Sequence, residues 1–211
     1  MLKTAKQFFA VCALAASCMI ALTPGSALAA PQAARHHMKG VKYEMKWVTR
    51  VSTTKYTLPK VMQVRDDGKI VSLQQELNDG RPVILGFIYT SCMEVCPVSS
   101  HIFTQLQGKL AINKASAHLV SISIDPEQDT PAVLREYARL YGAGPSWQHY
   151  TGTAEASIAI QKAFDVYGGD KMNFTSVTLL RVAPGKPWLR IDGFVSADDL
   201  LRHYQELTAT R

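Results

Sequence analysis

Cys92 and Cys96, in the run Thr90-Ser91-Cys92-Met93-Glu94-Val95-Cys96-Pro97, are two thiols four residues apart. That spacing is close to one helical turn of 3.6 residues. Thiols so placed can close a disulfide, because Cα atoms one turn apart fall inside the usual span of about 4.4–6.8 Å. They can equally offer two thiolates to a soft, low-coordinate metal ion. An inert staple is the weaker reading, since the entropic gain of a cross-link grows with the loop it closes and this loop is tiny. Short cysteine pairs at helix starts read instead as redox or metal sites.

The flanking segments place the pair at a strand-to-helix turn. Pro82-Val83-Ile84-Leu85-Gly86-Phe87-Ile88-Tyr89 is an apolar strand-like run, entered through the breaker Asp79-Gly80-Arg81-Pro82. Cys96 opens a helix in which Pro97 suits the first turn, and Val98, Ile102, Leu106 and Leu110 fall at four-residue steps on one face. A helix N-terminus favours negative charge, so at least one thiol is expected to ionise below its ordinary range.

The remaining elements build the scaffold. Val41 to Val51 alternates as a strand, and Val61–Arg65 and Lys69–Leu73 flank an Asp66-Asp67-Gly68 turn. A short helix covers Leu73 to Asn78, and His118 to Ile124 is a β-rich run ending at Asp125-Pro126. Thr130 then caps a helix with Pro131 at its first position, running to about Tyr141 with Val133, Leu134, Tyr137 and Leu140 inward; Gly142 and Gly144 stop it. Trp147–Thr151 reads as a short strand. Thr153 caps a helix through Ala156, Ile160, Ala163 and Phe164 that ends at Gly168-Gly169. Val177–Val182 and Trp188–Ile191 form a hairpin, and Ser196 with Asp199 caps a last helix. This order implies an α/β domain: a central mixed sheet with helices on both faces.

An apolar fraction of 47% and a charged fraction of 19% exclude a disordered chain. The net charge of +6 comes from scattered residues with no Lys/Arg run, which argues against nucleic-acid binding and for a solvated basic surface. Lys3 and Lys6, the apolar Phe8–Leu22 and the small residues Ala27 and Ala29 read as a secretory leader cut after Ala29. Lipidation at Cys18 and an uncleaved anchor are the alternatives, and a membrane association is expected only with one of them. Cleavage removes Cys12 and Cys18, leaving Cys92 and Cys96 in an oxidising, periplasmic or otherwise exported setting. The expected organisation is a signal peptide over 1–29, a lead-in and strand over 30–54, and one domain over 55–211.

Three stretches carry a family resemblance. They are Gly86-Phe87-Ile88-Tyr89-Thr90-Ser91-Cys92 through Cys96-Pro97, then Ser121-Ile122-Ser123-Ile124-Asp125-Pro126-Glu127-Gln128-Asp129-Thr130-Pro131, and Tyr150-Thr151-Gly152. Together they resemble the Sco/SenC family over roughly Lys55 to Gln205. The resemblance implies a thioredoxin-like three-layer sandwich, copper as the bound metal with Cys92 and Cys96 as ligands, and a place in cytochrome c oxidase assembly. Its implied partners are a respiratory oxidase subunit or another copper or thiol protein. The family also implies a histidine ligand just before a late strand. Thr175, in Phe174-Thr175-Ser176, stands at that place, and no histidine occurs between His149 and His203.

Two thiolates alone still suit Cu(I), whereas Cu(II) prefers nitrogen or oxygen donors, so the missing imidazole bears mainly on Cu(II). Met172 is a candidate replacement donor, as is Met93; the plain reading of each is a methionine packing locally. His36-His37-Met38 can hold copper or be a polar tail. His101 reads as a surface residue, and His118, His149 and His203 as strand-end or surface histidines. Asp125 either shapes the field near the cysteines or, with Asp129 and Thr130, belongs to a turn and helix start; the second reading is favoured. Trp147 and Tyr150 read as core. Three functions follow in order: Cu(I) binding through Cys92 and Cys96 in copper delivery; copper-independent thiol–disulfide exchange, with the same two cysteines as the catalytic redox dithiol; and a non-catalytic interaction role.

Overall fold

The computed structural model describes residues 49–209. The leader, Cys12, Cys18, His36-His37-Met38 and most of the 41–51 strand reading lie outside them. The elements run β1 (Arg50–Thr54), β2 (Met62–Arg65), β3 (Ile70–Ser72), α1 (Leu73–Leu77), β4 (Val83–Ile88), α2 (Val95–Ile112), β5 (His118–Ser123) and α3 (Pro131–Leu140). Then come β6 (Trp147–Thr151), α4 (Ala154–Ala163), a 3-10 turn (Lys171–Asn173), β7 (Val177–Arg181), β8 (Trp188–Asp192) and α5 (Ala197–Ala209). The strands form one sheet in the order β1-β8-β7-β4-β5-β6-β2-β3. β4 runs parallel to β5 and β5 to β6, while β7 lies antiparallel to β4. This is the mixed α/β sheet the sequence implies.

The central strands are covered on both faces, which is why β4 and β5 read as continuous apolar runs rather than alternating ones. On one face Leu85, Phe87, Val120 and Ile122 meet Leu73 and Leu77 of α1 and Ile160 of α4. On the other Ile84, Leu119 and Leu180 meet Phe103, Leu106 and Leu110 of α2 and Leu200 of α5. Phe164 sits edge-on to Tyr56, Phe87 and Trp188 at centroid distances of 5.1, 5.9 and 5.5 Å. Such pairs add about 0.5–1.5 kcal/mol each beyond burial. Gly86 lets α2 approach: a Cβ there would lie 3.3 Å from the Phe103 ring.

Several local readings need correction. The buried face of α2 is Cys96, Ser100, Phe103, Leu106 and Leu110, rotated from the expected stripe, so Val98 and Ile102 are only half-buried. In α3, Val133 and Leu140 point outward, at 40% and 74% exposure; Leu134, Tyr137 and Ala138 face inward. Only one face of a ten-residue surface helix can meet the sheet; Leu134, Tyr137 and Ala138 fill it, and Val133 and Leu140 fall outside that face. Helix α4 stops at Ala163, before Gly168-Gly169, because Asp165 takes a left-handed φ of 52°. Thr130 and Thr153 cap α3 and α4 as expected, accepting from Val133 and Ala156 N–H.

Candidate functional site

The dithiol lies on the turn between β4 and α2. Cys92 N–H donates to the Tyr89 carbonyl at 3.1 Å, closing the turn that leaves the strand. Cys96 is the second residue of α2, and its N–H donates to Cys92 Sγ at 3.3 Å. The first N–H groups of a helix lack internal partners. Glu94, at the N-cap, supplies no side-chain bond to them, so the Cys92 sulfur takes that role. Pro97 has no N–H to satisfy.

Both sulfurs are free, and they differ in setting. Cys92 is 7% exposed and Cys96 is fully buried, in a cluster with Ile88, Tyr89, Leu134 and Tyr137. Burial works to raise the Cys92 thiol, but hydrogen bonds to its sulfur from the Cys96 N–H and thiol, the Glu94 N–H and the Tyr89 phenol hold it below its ordinary value. Burial drives Cys96 well above its ordinary value, and the nearby Cys92 charge adds to that. Tyr89 is pushed up to about 12 by burial and then by contact with the Cys92 sulfur, so it stays a neutral donor. The outer thiol therefore ionises more readily than an ordinary cysteine, and the inner one holds its proton more tightly.

Asp129 fixes this turn from the loop between β5 and α3. It is fully buried, and its carboxylate accepts from Thr90 N–H at 3.2 Å, Thr90 Oγ1 at 2.5 Å and Ser123 Oγ at 2.6 Å. The reading of Asp129 as helix-start chemistry is corrected: Thr130 caps α3 alone, and Asp129 turns inward to hold the residue two before Cys92. Asp125 does form the expected turn, its carbonyl accepting from Gln128 and Asp129 N–H. Its carboxylate pairs with Lys171 Nζ at 2.5 Å. Lys171 also lies over the Tyr89 ring, 5.7 Å from its centroid.

Thr175 is exposed, between residues that touch the dithiol elements. Phe174 packs against the Cys92/Cys96 cluster, and Ser176 Oγ lies 3.0 Å from Ser99 Oγ in α2. The loop before β7 thus runs along the site. Met172 and Met93 are exposed, at 72% and 87%. His101 is exposed, as expected. His118 is at a strand end, as the first residue of β5, while His149 lies inside β6; neither is a surface residue, since both are fully buried. His118 Nε2 lies 3.1 Å from the Tyr150 hydroxyl, which donates to Glu76 Oε2 at 2.7 Å; His149 stacks on Trp147 with centroids 5.1 Å apart. Trp147 and Tyr150 are core, as read. Among the described residues no group of three or more His, Cys, Asp or Glu side chains gathers as a metal site. Sequence reasoning missed Tyr89, Lys171 and the inward role of Asp129. The last had only a partial signal: a carboxylate just after a buried strand needs partners, and Ser123 lies six residues before it, but Thr90 is 39 residues away.

With the geometry in view, the comparisons with known proteins converge. A family model described as SCO1/SenC matches residues 62–202. A SCO1 protein homolog of Bacillus subtilis is 36% identical over 93 residues, covering 44% of this chain and 47% of its own length. Protein SenC of Rhodobacter capsulatus is 34% identical over 87 residues, covering 41% and 38%. The aligned stretches thus span less than half the length of these relatives. Among solved structures, BsSco, titled for a disulfide switch in a member of the Sco family of cytochrome c oxidase assembly proteins, superposes with a TM-score of 0.62 at 27% identity over 76% of this chain and 98% of its own. Arabidopsis thaliana ScoI with copper bound gives 0.59 at 23% identity over 76% and 98%, a likeness of fold. The sheet and helices are those of the thioredoxin-like Sco proteins.

Proposed function

We propose that this chain, which belongs to the SCO1/SenC family, is an exported protein that takes Cu(I) on Cys92 and Cys96 in the service of copper delivery to a respiratory oxidase. Copper is cargo here, not a resident cofactor. The observation that carries the reading is the dithiol turn itself: two sulfurs one helical turn apart, the Cys96 N–H donating to Cys92 Sγ at 3.3 Å, the outer thiol more acidic than usual and both shielded from water. Two soft donors in an apolar cluster fit Cu(I), which tolerates low coordination, and do not fit the tetragonal nitrogen and oxygen set that Cu(II) prefers. The relatives support the same direction, with a copper-bound structure on this fold and oxidase assembly named for BsSco. Cys92 is the sulfur that meets a partner, being the outer thiol, and Cys96 is the inner one.

The test is an anaerobic Cu(I) titration of the reduced protein against a competing chelator. One tightly held Cu(I) per chain is expected, lost in Cys92→Ser. Stoichiometric binding that Cys92→Ser leaves unchanged would refute the proposal.

A second reading draws on the unlike thiols. A lowered outer thiol beside a raised inner one is the arrangement of a nucleophilic cysteine and its resolving partner. In that role Cys92 attacks a partner disulfide and Cys96 then displaces the partner, leaving a Cys92–Cys96 disulfide and a reduced partner. A reduction potential as low as that of structural disulfides, with no exchange with thiol substrates, would argue against it.

A further inference from the structure

Neither reading uses the cleft that lies beside the dithiol. The turn after β5 and the segment 166–174 enclose about 370 Å³, near the low end of the roughly 300–1,000 Å³ typical of ligand sites. Ser157 and Gln161 of α4, both buried, lie on its inner side. Tyr167 and Phe174 give it aromatic walls, and Asp125, Glu127 and Asp170 line it with carboxylate. Lys171 is the one basic residue of the lining and is bound to Asp125, so three carboxylates against one ammonium leave the lining net negative by two. Glu127 and Asp170 are exposed, and neither forms a salt bridge among the described residues.

The cleft and the dithiol share a wall. Phe174 lines the cleft and packs against the cluster that holds Cys92 and Cys96. Lys171 reaches from Asp125, in the cleft, to the face of Tyr89, which is in contact with the Cys92 sulfur. An anionic occupant is disfavoured by the net lining charge. A basic side chain suits it, with an apolar stem for Phe174 and a charged head for Glu127 and Asp170, away from the Tyr167 ring that Lys162 Nζ covers at 5.2 Å.

We propose that this cleft seats an arginine or lysine of an extended partner segment, so that a sulfur of the same segment is delivered to Cys92. The proposal rests on the reading of Cys92 as the partner-facing thiol. The probes are three peptides, Gly-X-Gly-Cys-Gly-X-Gly with X as Arg, Gln or Glu, each carrying an aryl thiol in disulfide linkage on its cysteine. The Cys92 thiolate attacks the peptide sulfur, the new S–S bond forms as the old one breaks, and the coloured aryl thiolate leaves with the electron pair.

The arginine peptide is expected to react about fivefold faster than the glutamine peptide, and the glutamate peptide slower than both, with the spread shrinking in salt. In the Glu127→Gln/Asp170→Asn protein the arginine-to-glutamine ratio should fall to about one. Asparagine at 170 keeps the oxygen that accepts from Met172 N–H, so the 3-10 turn keeps its cap. Equal rates for all three peptides, or a ratio that survives in the double variant, would overturn the proposal. The serine analogue of the arginine peptide cannot exchange, so its binding, followed by anisotropy, reports the cleft alone. Saturable binding that the double variant loses, with no exchange by any peptide, would sustain the cleft and refute the role of Cys92. No binding of that analogue, with exchange intact but indifferent to charge, would do the reverse.

Discussion

Two stretches border the dithiol, and they are held very differently. The turn 90–96 is tied down by a buried carboxylate with bonds to Thr90 N–H, Thr90 Oγ1 and Ser123, by its own Tyr89 and Cys96 backbone contacts, and by an apolar cluster. The loop 165–176 leaves α4 through a left-handed Asp165 and a Gly169 at φ 80°, and it is held to the site chiefly by the Lys171–Asp125 pair, Phe174 and the Ser99–Ser176 contact. The fixed stretch carries both cysteines. The loosely held one carries Thr175, where the resemblance places a ligand histidine. The stretch with the denser set of bonds is the one in which two sulfurs lie one turn apart. The bonds that shape the dithiol turn come from Asp129, Ser123 and the turn's own backbone, and Thr175 supplies none of them.

The largest test of that contrast replaces one residue from each stretch. Cys96→Ser should weaken Cu(I) binding by more than about a hundredfold, above the 10–100-fold typical of losing a residue that merely supports a ligand. Thr175→Ala should leave Cu(I) affinity unchanged in the same chelator competition. An equal loss from Thr175→Ala would show that the loop donates after all.

Stability and mobility should separate next. Asp129→Ala strands the Thr90 N–H and the Ser123 hydroxyl inside the protein and should cost about 2–4 kcal/mol in urea unfolding, with an unchanged slope. Lys171→Met should instead speed amide exchange in 168–176 and leave 90–97 protected. Faster exchange in both stretches would mean that they are one unit.

A smaller effect separates the two thiols. In reduced, metal-free protein iodoacetamide should modify Cys92 first, its rate rising with pH and levelling below the ordinary thiol range. Cys96 should stay unmodified until strongly alkaline pH. Peptide mapping by mass reads the order directly, and equal labelling would remove the argument for an outer and an inner sulfur.

The smallest effect lies away from the site and serves as its control. His118 is held neutral, first by burial and then by the Arg81 charge, so its folded pKa is lowered. The unfolded chain takes the proton first as pH falls, so the stability this neutral His118 carries is present above about 6.5 and declines below it. Urea midpoints should drop between pH 7.5 and 5.5, and His118→Gln should flatten that slope without changing the cysteine labelling order.

Much of this could be read from the residues. The strand-to-helix turn, the Thr130 and Thr153 caps, the hairpin of β7 and β8 and the position of Trp147–Thr151 all follow from local chemistry, where a hydroxyl, a proline or a glycine acts on its immediate neighbours. The inward turn of Asp129, the Lys171–Asp125 pair and the burial of His118 and His149 did not. Each depends on partners 6 to 46 residues away in the chain, or on a strand sandwiched on both faces, and only the sheet order brings them together. The rotation of α2 was missed for a related reason. Phe103 faces inward where Gly86 opens space opposite its ring, and Ser100 where the Tyr137 hydroxyl lies 2.7 Å from its Oγ, and both partners belong to other elements.

The central claim, a Cu(I) site of two thiolates with no imidazole, is met most directly by the intact mass of the protein under native conditions, after export in copper-replete cells and purification without added metal. The expected result is a chain one copper heavier than its mature sequence, with both cysteines unavailable to alkylation while the copper is held and both reactive once it is removed and the chain is unfolded. A copper-free chain two hydrogens lighter, its cysteines closed as a disulfide, would contradict it and give the site to thiol–disulfide exchange.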